Sequence, residues 1–477
     1  MGGELPIRLS QAHLAAIGKR GVPVPTYDRA RLAPRIVHIG VGGFHRAHFA
    51  LYTHELAAQG SDWGIVGLGL LEHDALMASA LGGQDHLYTL IEKGNGDPSA
   101  AVIGSITGFV HAPDGHDGAV ADLIADPTTA ILSLTVTEAG YSDSSTTFDR
   151  VAAALAARCD RGAGPLTILS FDNMPGNGTA AHRATMAASA RRDDSLAAWV
   201  EQNCTFPNSM VDRITPATAD ADRAWLLESS GIEDSWPVVA EPFRQWVVED
   251  EFAAGRPAWE DVGALFTDRV HDWELYKLRF LNAGHSCMAY LAALAGIGYV
   301  HEAMAVPAIK GFVEGLLHFE ALPTLEPIPG HPREDYIASV IERFGNGGVR
   351  DQIARICIDG SAKFPTFLIP TVERELEREG PVERSATALA GWARYLAVVD
   401  PEQQSFDASA ETARVHAANA LEDPTAFLDF DAVFPPPVKN SARFRAVFAE
   451  SYRRVAEDGP IAAMESREER EPTGGAF

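Results

Sequence analysis

Apolar and polar positions in the first half of the chain fall into two alternating patterns. Short β-branched runs, RIVHIGVGGFH, DWGIVGLGLL, TTAILSLTVTEAGY and GPLTILSFDNMPGNG, each end in glycine, polar or turn residues, with helical patterns interspersed. Buried strands of a parallel sheet read this way, so the pattern predicts an α/β fold with an N-terminal doubly wound, Rossmann-type domain. A further extended segment, SWPVVAEPFRQWVVED, is expected to extend the sheet. From about Asp272 the pattern changes to Ala- and Leu-rich helical runs such as VERSATALAGWARYLAVV and NSARFRAVFAESYRRVAED. The predicted organisation is therefore an α/β domain over 1–271 and a mostly α-helical C-terminal domain over 272–477. The tail MESREEREPTGGAF is charged and glycine-rich, and its end is expected to be mobile.

Composition narrows the function classes. An apolar content of 46% over 477 residues supplies ample core for two domains. No run approaches the roughly 18 uninterrupted apolar residues that suggest a membrane span. The start MGGELPIRLS has neither a basic-then-apolar leader nor the Ser or Thr of a myristoylation sequence. Four scattered cysteines, Cys159, Cys204, Cys287 and Cys357, form no CxxC pair, which fits reduced thiols and a cytoplasmic home. A net charge of -26, with 39 Lys and Arg in no basic block, argues against nucleic-acid binding. No heptad seam or apolar surface stripe demands a dimer, so a monomer is expected.

Candidate chemistry begins where RIVHIG runs into VGGFHRAH. Gly40 and Gly42, with Gly43 beside them, allow a tight turn and close approach of a pyrophosphate to the next helix. Phe44 and Arg46 follow directly and join the cofactor-binding candidates. His45 stands where the usual glycine pattern has its third glycine, so the motif by itself is weak, and the glycines could merely permit a turn. Context helps, because DWGIVGLGL ends beside Glu72 and Asp74. Either acid could bond the adenosine ribose hydroxyls and repel a 2′-phosphate, which favours NAD over NADP; either could equally be a solvated loop acid. Later strand ends add Thr137 and Glu138 from VTEAGY, and Asn173 from SFDNMPGNG.

The segment WELYKLRFLNAGHSCMAYLAAL, Trp273 to Leu294, is apolar almost all round yet carries Lys277, Asn282 and His285. At about 100° per residue, Glu274 lies about 60°, His285 about 80° and Asn282 about 140° from Lys277, a polar cluster on one side. Burial disfavours an ammonium ion, so Lys277 is a candidate general base. Asn282 and Asn173 are candidate donors to an oxygen that becomes negative during reaction, and His285 is a candidate to orient substrate. The bland reading is a lysine snorkelling to solvent and satisfied structural amides. Zinc is the competing idea, given 16 His. His45 and His48 share HRAH without a partner Cys or acid pattern, and HExxH is absent, so no catalytic metal is expected.

GVGGFHRAH, TEAGY, DNMPGNG, NSMVDRITP, KLRFLNAGHS and IDGSAKFPTF together resemble the polyol-specific long-chain dehydrogenase/reductase family, in order along nearly the whole chain. The resemblance implies Lys277 as base, Asn173 and Asn282 as the oxyanion-stabilising pair, and His285 as a substrate ligand. It also implies that Asp212 lies beside the site, that Glu274 guards proton release, and that Arg355 and Lys363 contact sugar hydroxyls. Asp212 capping a turn and Arg355 pairing with a surface acid are the bland alternatives. The implied activity is reversible, metal-independent NAD-linked oxidation of D-mannitol to D-fructose, with D-arabinitol and D-sorbitol as secondary substrates. A sugar-acid reductase of the fructuronate type, using Arg355 and Lys363 for a carboxylate, is the near alternative. A non-catalytic NAD-binding sensor is the alternative from another class.

Overall fold

The computed structural model describes residues 5–142 and 145–465; the end of the expected mobile tail and the first four residues lie outside the described residues. The chain divides into two compact units, Met1–His271 and Asp272–Phe477.

The first unit is built on a six-stranded sheet. Its strands are β1 (Ala33–Ile39), β2 (Trp63–Gly69), β3 (Ile106–His111), β4 (Ile131–Leu134), β5 (Leu166–Ser170) and β6 (Cys204–Thr205). Their order across the sheet is β3-β2-β1-β4-β5-β6, and every pairing is parallel. That is the dinucleotide-binding order, which reverses between β1 and β4. Apolar side chains pack both faces, which is why these strands read as continuous rather than alternating runs. On one face Val37, Ile39, Leu132 and Ile168 meet Val151, Leu155 and Ala181 of the helices Thr147–Asp160 and Asn177–Arg192. On the other, Ile36 and Ile65 join an aromatic cluster in which Trp246 and Trp259 meet edge to face at 4.9 Å, a pair contributing roughly 1 kcal/mol beyond its buried area.

The segment SWPVVAEPFRQWVVED does not extend this sheet. Val238–Ala240 pairs with Tyr88–Glu92 in one three-stranded sheet, and Gln245–Val248 pairs with Ser209–Asp212 in another. The segment is extended as its pattern predicts, but its partners are set by non-local contacts.

The second unit is helical; among the described residues its only β pairings are the isolated bridges Tyr299↔Gln352 and Ile328↔His331. Both expected helices form, over Glu383–Val398 and Ala442–Glu457, the latter capped by Ser441 Oγ accepting from Phe444 N. The segment from Trp273 to Leu294 departs from a uniform α-helix. It is α over Val270–Tyr276, π over Lys277–Asn282 and α again over Ala283–Leu294. A second π stretch, Leu316–Ala321, carries Glu320, which is fully buried and accepts from the backbone N–H groups of Arg384 and Ser385 at the start of helix Glu383–Val398. No helix among the described residues is long and apolar enough to cross a membrane.

Candidate functional site

In the α/β unit the candidates gather at the C-terminal ends of the parallel strands. β1 leads into Gly40, β2 into Glu72 and Asp74, β4 into Thr137 and Glu138, and β5 into Asn173. Parallel strands put all these on one edge of the sheet, where such folds bind ligands.

The glycines of the first turn differ in what requires them. Gly40 has φ +89°, and a Cβ there would stand 2.1 Å from the Thr135 carbonyl oxygen, so the fold itself demands glycine. At this position the bland turn reading is sufficient. Gly42 has ordinary φ, and the nearest atom to an added Cβ is 3.9 Å away. Nothing in the chain needs glycine there, and the bare backbone leaves room for close approach by a bound group. It precedes the helix Gly43–Ala47.

Phe44 stacks on His48 at 5.0 Å, and Arg46 turns inward. The Arg46 guanidinium is buried and donates to the carbonyls of Gly42 and Trp236, so it grips the turn from behind rather than reaching into the crevice. His45 is fully buried with its ring 3.5 Å from that of His38. Burial, then its cationic neighbours, hold it well below the usual imidazole range, a neutral packing residue. His48 makes its Nε2 contact with the Gln245 carbonyl at 2.9 Å. Among the described residues no cluster of three or more His, Cys, Asp or Glu is arranged to hold a metal.

The two acids after β2 also separate. Asp74 accepts from the Leu71 backbone N–H at 2.9 Å and packs where a Gly69 side chain would be, so it shapes the turn. The Glu72 side chain is exposed past the strand end.

Asp172 was not singled out by sequence, yet it ties two of these loops together. It is buried, accepts from the Thr137 backbone N–H at 2.7 Å and from the Tyr141 hydroxyl at 2.8 Å, and directly precedes Asn173. Thr137 is held at φ +60°, a conformation that persists in a non-glycine residue only when its surroundings impose it. Burial raises the Asp172 carboxyl, against the opposing pull of those hydrogen bonds. Asn177, fully buried, donates to the carbonyls of Ser170, Asp172 and Ser209 and fixes the rest of the DNMPGNG loop. Asn173 is exposed at the loop's tip and Glu138 is exposed beside Thr137. Asp212 ends the strand Ser209–Asp212 of a separate small sheet and is buried.

In the helical unit, Glu274, Lys277 and His285 are all buried, Lys277 with 9% of its surface exposed, and Asn282 is half-buried. Snorkelling to bulk solvent does not describe this lysine. The π stretch begins at Lys277 and ends at Asn282. In a stretch bonded i to i+5, residues five apart lie about one turn apart on the same side. Lys277 and Asn282 are such a pair, so the angle of about 140° expected from an ideal helix overstates their separation.

The His285 ring stacks on Phe344 at 4.0 Å, and its Nε2 lies 4.0 Å from Asp351 Oδ2. Asp351 is buried and holds Arg355 in a two-pronged pair, accepting from Nε at 2.7 Å and from Nη2 at 2.5 Å. Burial alone would raise the Asp351 carboxyl; the Arg355 bonds and His285 bring it below the usual range. The Arg355 pairing expected as the bland alternative therefore exists, but with a buried acid next to a candidate site residue. Lys363 donates to the Ile356 carbonyl at 3.1 Å, and burial followed by the Arg355 charge lowers its ammonium. His285, Asp351, Arg355 and Lys363 thus form one cluster. Asp351 escaped the sequence reading, although an acid four residues before an arginine is a recognisable helical pairing signal.

Two family models match the chain: the mannitol dehydrogenase Rossmann domain over residues 34–261 and the mannitol dehydrogenase C-terminal domain over 269–456. Mannitol dehydrogenase 2 of Saccharomyces cerevisiae is 41% identical over 473 residues, covering 93% of this chain and 94% of that one. Mannitol 2-dehydrogenase of Aspergillus terreus is 38% identical, covering 96% and 99%. Among solved structures, Pseudomonas fluorescens mannitol 2-dehydrogenase in a ternary complex with NAD and D-mannitol is 37% identical, with a TM-score of 0.85 over 96% of this chain and 99% of that one. A substrate-free D-sorbitol dehydrogenase is 32% identical, with a TM-score of 0.87 over 96% and 100%.

Proposed function

On the premise that this chain belongs to the mannitol dehydrogenase family, we propose that it is an NAD-dependent polyol dehydrogenase that oxidises D-mannitol to D-fructose at C2, reversibly. D-Arabinitol and D-sorbitol are its secondary substrates. The observation that carries the reading is the buried Lys277 amine at the start of a π stretch that ends at Asn282, with His285 following in the same helix.

The residues of the α/β unit suit a dinucleotide. Gly42 offers bare backbone that no internal contact requires, and Glu72 is exposed where a ribose acid acts in this strand order. Bound there, NAD supplies the acceptor for the hydride from C2. Lys277 Nζ takes the proton from the C2 hydroxyl, a task helped by burial, which makes an amine easier to deprotonate. Asn282 donates its amide to the same oxygen as charge develops on it, and Asn173 has the same task. His285 orients the substrate hydroxyls; Asp212 tunes the site electrostatically. Glu274, one turn before the base, passes the proton onward.

Following NADH absorbance with D-mannitol, D-arabinitol, D-sorbitol and a hexonate tests the reading. Mannitol should give the highest kcat/KM; NADH formation with the hexonate alone would point to the sugar-acid reductase, and none with the polyols or the hexonate would leave an NAD-binding sensor as the better account.

A further inference from the structure

The charge arrangement around His285 bears on which substrates the site accepts, and the argument rests on the polyol reading above. Arg355 and Lys363 are the two cations that a sugar-acid reductase would aim at its substrate's carboxylate. Here Arg355 is already occupied. Both prongs of its fork, Nε and Nη2, meet the Asp351 carboxylate, and that acid is nine-tenths buried. Asp351 is itself fixed from several sides. Its carbonyl accepts from Val300 N at 2.9 Å, and the next residue, Gln352, bridges Tyr299. The preceding Arg350 is held at φ +51° with its guanidinium 4.7 Å over the Tyr299 ring. Lys363 is turned to the Ile356 carbonyl and sits in the fields of Asp351 and Asp359. The Arg355 charge is thus balanced by a buried carboxylate, and a second carboxylate, arriving with the substrate, would meet a guanidinium whose charge is already matched.

We propose that Asp351 is a specificity-determining residue: by neutralising Arg355 and standing beside His285, it makes this end of the site accept an uncharged polyhydroxy chain and reject a sugar acid. Arg355 keeps donors for substrate hydroxyls because its outer face is solvent-accessible, with 54% of the side chain exposed. What it loses is net charge. Asp351 acts through its neighbours and is a positioning residue for both of them.

The test compares kcat/KM for NADH-linked reduction of D-fructose and D-fructuronate, which differ at the terminal carbon by a neutral hydroxymethyl against a carboxylate. Wild-type enzyme should favour fructose by at least tenfold. Asp351→Asn, nearly the same shape without the charge, should move the ratio toward fructuronate by about tenfold, or about 1.4 kcal/mol, and Asp351→Glu should restore it. A purely structural role would lower both activities together and leave the ratio alone. The proposal is overturned if wild type prefers fructuronate, or if a folded Asp351→Asn moves the ratio less than threefold. Should Asp351→Asn fail to fold, Asp351→Ser takes its place with the same threefold limit. An enzyme that reduces neither sugar counts against the dehydrogenase reading; one that reduces fructuronate faster counts only against this inference.

Discussion

Residues separate by what their surroundings ask of them. Removing the Lys277 amine as Lys277→Ala should lower kcat by about 10²- to 10⁴-fold, the usual worth of a positioned base. NADH affinity by fluorescence titration should stay within about twofold; turnover within a few fold of wild type would remove the lysine from the chemistry. In sequence Glu72 and Asp74 are equivalent; the Asp74 hydrogen bond and the exposure of Glu72 distinguish them. Glu72→Ser should raise KM for NAD several-fold and raise relative use of NADP. Asp74→Ala should leave that cofactor ratio unchanged while costing about 1 kcal/mol of stability from the lost hydrogen bond to the Leu71 N–H. An unchanged NAD/NADP ratio in Glu72→Ser would show that another group reads the ribose. Asp172 was illegible because it looks like an ordinary loop acid, and Asp351 offered only its spacing from Arg355. Only burial and the partners brought by the fold, Thr137 and Tyr141 for one, Arg355 and His285 for the other, mark them out.

At the level of elements, the strands that run into Gly40, Glu72, Thr137 and Asn173 were readable because a strand buried on both faces leaves a short β-branched block ended by turn residues. The segment SWPVVAEPFRQWVVED was misplaced because an extended pattern names no partner. The π stretch was invisible for a different reason: counting 3.6 residues per turn assumes the geometry it is meant to detect. The second π stretch offers its own test through Glu320. Burial raises this carboxyl from 4.5 to about 7, against the pull of Ser385 and Arg384. The folded chain therefore holds the extra proton across that window, so stability falls as pH rises from 4.5 to about 7 and stays reduced above it. Relative to Glu320→Gln, wild-type unfolding free energy should drop by up to about 3 kcal/mol between pH 4.5 and pH 8. The same change of unfolding free energy with pH in wild type and Glu320→Gln, from urea titrations, would contradict this.

For the whole molecule, ligand linkage separates binding from folding. NAD at about 100 times its Kd should add about 2.7 kcal/mol to the unfolding free energy of the part that binds it. Scanning calorimetry should show that gain in wild type, and Gly42→Ala should largely lose it while melting normally without ligand, since its added methyl meets nothing closer than 3.9 Å. Gly40→Ala should melt lower with or without NAD. Equal NAD protection in Gly42→Ala would place the cofactor elsewhere. The helix bearing Lys277, Asn282 and His285 has a further consequence for how such a protein can change. Because the widened turn absorbs one residue more than an α turn holds, removing one residue between Tyr276 and Ala283 would let it tighten to ordinary α geometry, leaving the two α portions nearly in phase but ending the i to i+5 pairing of Lys277 with Asn282. The length of that segment, as much as the identity of its residues, therefore sets whether the lysine and the amide face the same way.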